Sequence, residues 1–181
     1  MEWEIQNIVA SVTLPNTFIP LEKAAIEWPE AEYNPEQFPG LVLKLKNPKV
    51  SALLFSSGKV IITGAKSMND IKKALDEIIK KLEKLGVKVG GEPKIEIQNM
   101  VASGKLDFQV NLEELAEKLP EAEYEPEQFP GLIYRPNEIK VRFLIFKNGK
   151  IVVAGAKSEK EIEEAIKFLE KKLREVGAIR E

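Results

Sequence analysis

The chain has 181 residues with 27 basic and 29 acidic side chains, and it contains neither histidine nor cysteine. The length fits one ordinary domain or two small ones, and the missing residue types exclude disulfide bonds, thiolate ligands and imidazole catalysis. The net charge of −2 argues against a generic basic nucleic-acid coat without excluding a local basic stripe, and no apolar run reaches the roughly 18 residues of a membrane span.

In chain order, the first half predicts a strand, a short helix, three strands and a long helix. Pro20 suits the first position of the short helix, and Gly58 in the turn "SSGK" can take a positive φ between two strands. Ser67 with Asp70 is a cap for the long helix, and Gly86 is its stop signal. The predicted ranges are strand 5–14, helix 21–28 and strands 41–45, 50–55 and 59–63.

The second half repeats this order. "YNPEQFPGL" begins at Tyr33 and "YEPEQFPGL" begins at Tyr124, 91 residues later. Repeats of this length are duplicated domains, which we place at residues 1–90 and 91–181. The second half has strands at 95–104, 132–135, 141–146 and 150–154, a short helix capped by Asn111 with Glu114, and a long helix capped by Ser158 with Glu161 and stopped by Gly177.

Both faces of the predicted sheet are apolar. The element order gives an α+β fold, in which an antiparallel sheet carries helices on one face. In "SALLF", Ala52 and Leu54 alternate with Leu53 and Phe55, so the face without helices is apolar too. Two interpretations are left open: this face is covered, by a dimer or a larger core, or it is an exposed binding surface with a few Asn and hydroxyl groups.

The chain resembles the TATA-box-binding protein family, and above all its archaeal members. The motifs "IQN(I/M)VAS", "Y(N/E)PEQFPGL", "SSGKV", "TGAKS" and "GLIYR" occur in the order of the family and span nearly all of the sequence. The resemblance implies a saddle of two pseudo-symmetric repeats, with a curved ten-stranded antiparallel sheet, helices on the convex face and the DNA minor groove against the concave face. It also implies a cytoplasmic, chromosome-associated archaeal factor of transcription initiation, without enzymatic activity, cofactor or metal.

The resemblance assigns the duplicated phenylalanines to DNA kinking. Phe38 and Phe129 lie in the two "PEQFPGL" motifs, and Phe55 and Phe146 each follow 17 residues later. In the family, such pairs insert between base steps at the two ends of the site, where an apolar ring replaces lost stacking.

Other positions match groove contacts of the family. Asn7 and Asn99 match asparagines that bond to base-edge acceptors. Thr63 matches a base-contacting threonine that Ala154 replaces in the second repeat, which puts a symmetric contact in doubt. The apolar floor of the family is matched by Val9, Val101, Leu53, Leu144, Ile61 and Val152.

Charged positions carry over to the DNA backbone and to protein partners. Glu125 and Glu127 match the segment that receives transcription factor B, and the family also assembles with RNA polymerase. The backbone-facing basic positions are matched by Lys44, Arg135, Lys59, Lys150, Lys66 and Lys157.

Rival functions have less support in the sequence. An enzyme is disfavoured because histidine and cysteine are missing and because "SSGKV" lacks the spacing of a phosphate loop. The alternative that stays open is the same fold used as a non-promoter DNA-binding or ligand-binding module. A homodimer of the DNA-free chain, formed through the apolar face, also stays open.

Overall fold

The structure is a computed structural model that describes residues 1–180, with only the backbone of Arg180. The chain divides into two compact units, one of residues 7–98 and the other of residues 1–6 together with the chain from Asn99 onward. No helix in the described range is both long and apolar enough to cross a membrane.

The first half of the chain forms five strands and two helices. In space the strands follow the order β2-β3-β4-β5-β1 and are antiparallel, as predicted. The long helix α2 packs on β5, and α1 packs on β2. The elements are β1 (Trp3–Thr13), α1 (Leu21–Glu27), β2 (Ala31–Tyr33), β3 (Leu41–Lys46), β4 (Lys49–Leu54), β5 (Lys59–Ala65) and α2 (Met68–Lys84).

The second half repeats this arrangement. Its main strands follow the order β6-β11-β10-β9-β8, which completes a ten-stranded antiparallel sheet, and α4 packs on β11. The elements are β6 (Lys94–Lys105), β7 (Gln109–Val110), α3 (Leu112–Lys118), β8 (Ala122–Glu123), β9 (Leu132–Tyr134), β10 (Arg142–Ile145), β11 (Lys150–Ala156), α4 (Glu159–Val176) and β12 (Ile179–Arg180).

The helix ends agree with their sequence signals. The Ser67 hydroxyl accepts a hydrogen bond from the Asp70 N–H at 3.0 Å, and the Ser158 hydroxyl accepts one from the Glu161 N–H at 3.1 Å. Asn111 caps α3 in the same way, through the Glu114 N–H at 3.1 Å. These bonds satisfy N–H groups that the first helical turn leaves without partners. Gly86 and Gly177 follow α2 and α4 with φ of 86° and 73°, as the stop signals predict.

The apolar stripes of the long helices form the core of each unit together with one face of the sheet. Helical spacing predicts an apolar stripe in α2, and it is confirmed except at Ile79, which is partly exposed, while Ala74 is fully buried; the predicted residues are Ile71, Leu75, Ile78, Ile79 and Leu82. In α4 the five residues predicted from the same spacing are all buried; they are Ile162, Ala165, Ile166, Leu169 and Leu173. Burying a side chain of this size contributes about 1.5–3 kcal/mol relative to leaving it exposed, so each stripe fixes its helix firmly on the sheet.

Three details differ from the sequence prediction. Pro20 is the N-cap of α1 and not its first helical residue, because its ψ of 87° is outside the helical range while its carbonyl accepts the first helical bond from Ala24. The short strands β2 and β8 precede the Phe-containing loops, where the residue pattern predicted no strand. The pair β7–β12 was also missed, since strands of two residues carry no measurable periodicity.

Candidate nucleic-acid interface

The sheet face that the helices leave uncovered carries most of the predicted site residues. Along β4, Ala52 and Leu54 are fully buried, whereas Leu53 between them is partly exposed. Along β10, Phe143 and Ile145 are fully buried, whereas Leu144 is partly exposed. This alternation follows from the two-residue period of a strand. Each half of the chain therefore presents a second apolar face that its own helices do not cover.

Strand register brings the apolar residues of this face into a row in each repeat. Val42 lies opposite Leu53, Leu53 opposite Ile61, and Ile61 opposite Ser11. All but Ser11 are partly exposed. The row therefore consists of three apolar side chains followed by a small hydroxyl group.

The second repeat has the equivalent row. Ile133 lies opposite Leu144, Leu144 opposite Val152, and Val152 opposite Ser103. Ile133 and its counterpart Val42 were not predicted from the sequence, although a signal was present: each is the middle one of three consecutive apolar residues in a strand and so faces away from its two neighbours. Val9 and Val101, which were predicted, are partly exposed beside irregularities in the sheet register.

Each asparagine of the duplicated "IQN" motif forms a hydrogen bond with the backbone of a glycine. The Asn7 side-chain oxygen accepts a hydrogen bond from the Gly64 N–H at 2.7 Å. The Asn99 oxygen accepts one from the Gly155 N–H at 2.8 Å. Both glycines have positive φ, 94° and 97°, and lie where the sheet register shifts. Glycine is the residue that adopts this conformation without strain.

This geometry leaves a hydrogen-bond donor on each asparagine. The side-chain oxygen is engaged by backbone, and within residues 1–180 the amide nitrogen of neither Asn7 nor Asn99 has a protein partner. Both side chains are partly exposed. A primary amide nitrogen carries two N–H donors. The two asparagines are thus oriented to donate to acceptors outside the protein.

The four phenylalanines of the duplicated motif form two matching pairs. The ring centroids of Phe38 and Phe55 are 5.9 Å apart with an interplanar angle of 68°, and those of Phe129 and Phe146 are 5.8 Å apart at 67°. Phe38 is 41% exposed and Phe129 is 38% exposed. Exposed rings that recur in the same paired geometry in both repeats indicate a binding role, which a single exposed ring would not.

A glycine packs closely against the two rings of each pair. A Cβ atom added at Gly40 would lie 2.7 Å from Phe38 Cε2 and 3.0 Å from Phe55 Cε1. At Gly131 the corresponding distances, to the second Phe pair, are 2.8 and 2.9 Å. Real Cβ atoms do not make contacts this short, so a larger residue would displace the rings, and the glycine of "FPGL" allows both rings to pack against the backbone.

The predicted basic positions are all exposed, and they lie on or beside the same face. Lys44 lies opposite Ser51 and shares its strand face with Val42. Arg135 is within 3.9 Å of Glu123, in an exposed pair that contributes little. In the described part of the chain no ion pair forms at the other five positions, so their charges are available to an anionic partner; they are Lys44, Lys59, Lys150, Lys66 and Lys157.

Three predicted residues lie in a loop or differ between the repeats. Glu125 and Glu127 are exposed in the loop before Phe129, and the Glu125 carbonyl accepts the Phe129 N–H at 3.0 Å. Thr63 is partly exposed and helps to line a groove of about 670 Å³ together with Lys44 and Ser51. Its counterpart Ala154 is only 8% exposed, so the hydroxyl of the first repeat is replaced by a nearly covered methyl group.

Three ionisable side chains have shifted pKa values. Within residues 1–180 no group of three or more acidic side chains is placed to hold a metal ion. Hydrogen bonds from Lys81 and Lys172 hold the pKa values of Glu30 and Glu138 below their usual range. Burial raises the pKa of Tyr134 to about 12, and its hydroxyl has no hydrogen-bond partner. None of these three titrating groups belongs to the apolar rows or the Phe pairs.

Comparison with known proteins gives a consistent result. A family model described as "Transcription factor TFIID (or TATA-binding protein, TBP)" matches residues 2–85 and again residues 94–176. The TATA-box-binding protein of Thermococcus kodakarensis is 51% identical over 98% of this chain and 93% of its own length. That of Sulfolobus acidocaldarius is 49% identical over 97% and 89%. The solved structure of Methanococcus jannaschii TBP superposes with a TM-score of 0.90 at 46% identity, covering 97% of this chain and 99% of that one.

Proposed function

This chain belongs to the TATA-box-binding protein family of general transcription factors, and from that membership we propose that it kinks promoter DNA and nucleates the initiation complex. In this proposal the repeats of residues 1–90 and 91–181 each place their uncovered sheet face against the minor groove of an A·T-rich site. The Phe pairs then insert between base steps at the two ends of that site.

The observation that carries the proposal is the duplicated geometry of the Phe pairs. Their centroid distances agree within 0.1 Å, from 5.9 to 5.8 Å, and each pair rests on a glycine that accepts no side chain. An apolar wedge offsets the few kcal/mol needed to open a base step, a general value for which this family is itself the standard example. A core residue would need neither the exposure nor the duplication.

The apolar rows account for a preference for A·T base pairs. In the minor groove, A·T and T·A pairs show only acceptors, whereas a G·C pair adds the guanine amino group. A smooth row such as Val42, Leu53 and Ile61 has no acceptor with which to satisfy that amino group. The oriented amide donors of Asn7 and Asn99 match the acceptors of A·T pairs. We therefore place the two asparagines on base edges.

The exposed lysines and Arg135 extend the contact to phosphates. Each neutralised phosphate releases counterions, which adds affinity that does not depend on sequence. Side chains that flank an apolar row are placed to reach the two strands that border a groove. These contacts position the protein, while the rows and the asparagines supply the preference.

The acidic loop of the second repeat is the proposed docking segment for transcription factor B. Glu125 and Glu127 are exposed, and the corresponding residues of the first repeat are Asn34 and Glu36, so the loop is more acidic in one repeat than in the other. A partner with a basic surface would therefore select one end of the protein by charge complementarity. Recruitment of RNA polymerase follows from that complex in this proposal.

Binding to three duplexes tests the proposal. The first duplex has an A·T-rich core, the second replaces the core by G·C pairs, and the third replaces it by inosine·C pairs, which lack the guanine amino group. Fluorescence anisotropy measures affinity, and energy transfer between dyes on the duplex ends measures bending. We expect the A·T and inosine·C duplexes to bind alike and to bend, and the G·C duplex to bind at least about tenfold more weakly, since one mismatched pair alone is worth about 1–3 kcal/mol.

Two results would contradict the proposal. Equal affinity for all three duplexes would reduce the interface to a non-specific one. An inosine·C duplex that behaves like the G·C duplex would show readout from the major groove, where these two base pairs look alike.

A further inference from the structure

Arg142 breaks the symmetry of the uncovered face in the second repeat. It precedes the buried Phe143 and is exposed on the face that carries Leu144. In β11 its register partner is Ala154. Within the described strand β10, Arg142 is the one charged side chain in a row of apolar and small residues. The family resemblance assigns it no role.

The first repeat shows what Arg142 replaces. The positions 91 residues earlier are Ser51 and Thr63, which are likewise register partners and line the groove beside Lys44. Two hydroxyl groups in the first repeat thus become a guanidinium group and a methyl group in the second. The loss of the threonine and the gain of the arginine occur at one cross-strand pair, where the two side chains are close enough to interact.

A second arginine adjoins this end of the strand pair and forms its own exposed pair with Glu123. The β9–β10 register is described as far as Tyr134 and Phe143, which Arg135 follows and Arg142 precedes in the chain. Among residues 1–180, no acidic side chain forms an ion pair with Arg142. A guanidinium group has five donors and accepts nothing. Its donors are therefore available to an acceptor outside the protein.

We propose that Arg142 reads a base-edge acceptor in the half-site bound by the second repeat, at the place where the first repeat carries the hydroxyl groups of Ser51 and Thr63. The proposal rests on the proposed function, because it takes the uncovered face to lie in the minor groove. The small, nearly covered Ala154 leaves room for the guanidinium group to lie along the face. A narrow A·T-rich minor groove has an enhanced negative potential that attracts arginine, and a guanine amino group would oppose its donors.

The same donors could instead bind a phosphate, and the experiment separates the two acceptors. Arg142→Ser restores the residue of the first repeat, and Arg142→Lys keeps the charge without the planar fork. Ser51→Ala is the matched control in the first repeat. Affinity is measured for the A·T-rich duplex and for duplexes with a single G·C pair placed in one half-site or the other, each over a range of salt concentrations.

We expect Arg142→Ser to weaken binding to the A·T-rich duplex by about 5- to 100-fold, the range of a specific base contact. The penalty for a G·C pair should shrink in one half-site only, and the salt dependence should stay nearly unchanged. Arg142→Lys should lose part of the discrimination, since the fork is gone. Ser51→Ala should leave the discrimination in that half-site intact.

Two outcomes overturn the inference. Uniform weakening on all duplexes, with a log–log salt slope reduced by about 0.9, would assign Arg142 to a phosphate. Unchanged affinity and discrimination in Arg142→Ser would show that the side chain contacts nothing. If wild-type protein shows no preference for the A·T-rich duplex, the proposed function falls and this inference falls with it; if that preference is present, only the inference is at stake. Arg142→Ser should melt at the same temperature as the wild type. If it does not, Arg142→Lys, which keeps the charge, still tests the inference.

Discussion

Truncating the inner ring of each Phe pair should separate DNA bending from folding. Phe55 and Phe146 are partly exposed and contact the outer rings edge to face, at interplanar angles of 68° and 67°. Each of them directly follows a fully buried residue in the chain, and for Phe55 that residue is Leu54. The variants are Phe55→Ala, Phe146→Ala and the double variant. Leu54→Ala serves as the matched control for a core position.

The size of each effect follows from burial. Removing a fully buried Phe costs about 3–5 kcal/mol and a buried Leu about 2–5 kcal/mol of unfolding free energy. Phe55 is not fully buried, and its ring pair contributes about 0.5–1.5 kcal/mol beyond area. We expect Phe55→Ala to cost about 1–2 kcal/mol, and Leu54→Ala to cost more. For a chain of this length, 1 kcal/mol lowers the melting temperature by about 2–4 °C.

Bending should respond in the opposite order. Each single Phe variant should relax the kink at one end, so that energy transfer between dyes on the duplex ends is intermediate between wild type and the double variant. Leu54→Ala should leave the bend of bound DNA unchanged at a temperature where it is folded. If Phe55→Ala melts as low as Leu54→Ala and still bends DNA fully, Phe55 is a core residue and the wedge assignment is wrong.

Three further predictions follow from the charges and from one buried hydroxyl. With six basic positions in reach of phosphates, the log–log salt slope of binding should be about −5, and a slope near −10 would require contacts that the face does not offer. Reversing Glu125 and Glu127 to Lys should abolish the complex with transcription factor B in a gel shift while DNA binding persists; Glu36→Lys is the control, and equal loss in both variants would refute a docking role for one repeat. Because burial first, and nearby glutamates after it, raise the pKa of Tyr134 from 10 to about 12, the folded state resists deprotonation. Stability should therefore be full below about pH 10 and fall as the pH rises towards 12, and Tyr134→Phe should reduce this loss in chemical unfolding; it should not destabilise the protein at pH 7, since the hydroxyl has no partner.

Local patterns were enough to predict most of the fold. The helix caps at Ser67 and Asn111, the stop at Gly86 and the alternation along "SALLF" all depend on residues within one turn or one strand, and the structure confirms each of them. The pair β7–β12 joins residues about 70 positions apart through two-residue strands, for example Ile179 and Val110. Such a pairing is decided by tertiary packing, which no local window contains.

The candidate site was predictable in its apolar part and not in its polar geometry. A strand period places Leu53 and its neighbours on the uncovered face from sequence alone. The bond from Gly64 to Asn7 spans 57 residues and depends on a register shift in the sheet. A glycine within a strand pattern is a signal for such an irregularity, but it does not say which side chain the free N–H will meet. The orientation of the asparagine donors therefore needed the structure.

The differences between the repeats matter more than their similarities for the orientation in which the protein would bind a DNA duplex. The Phe pairs agree within 0.1 Å and 1°, so in the proposed complex they would contact the two ends of a site alike. Identical devices cannot distinguish the two orientations of a duplex, because exchanging the repeats leaves their contacts unchanged. Only positions that differ can do so. On the uncovered face these include the pair Ser51 and Thr63, which becomes Arg142 and Ala154. If binding to DNA alone has a preferred direction, its free energy must come from such unequal positions, and the more acidic loop of the second repeat then fixes which end a protein partner meets.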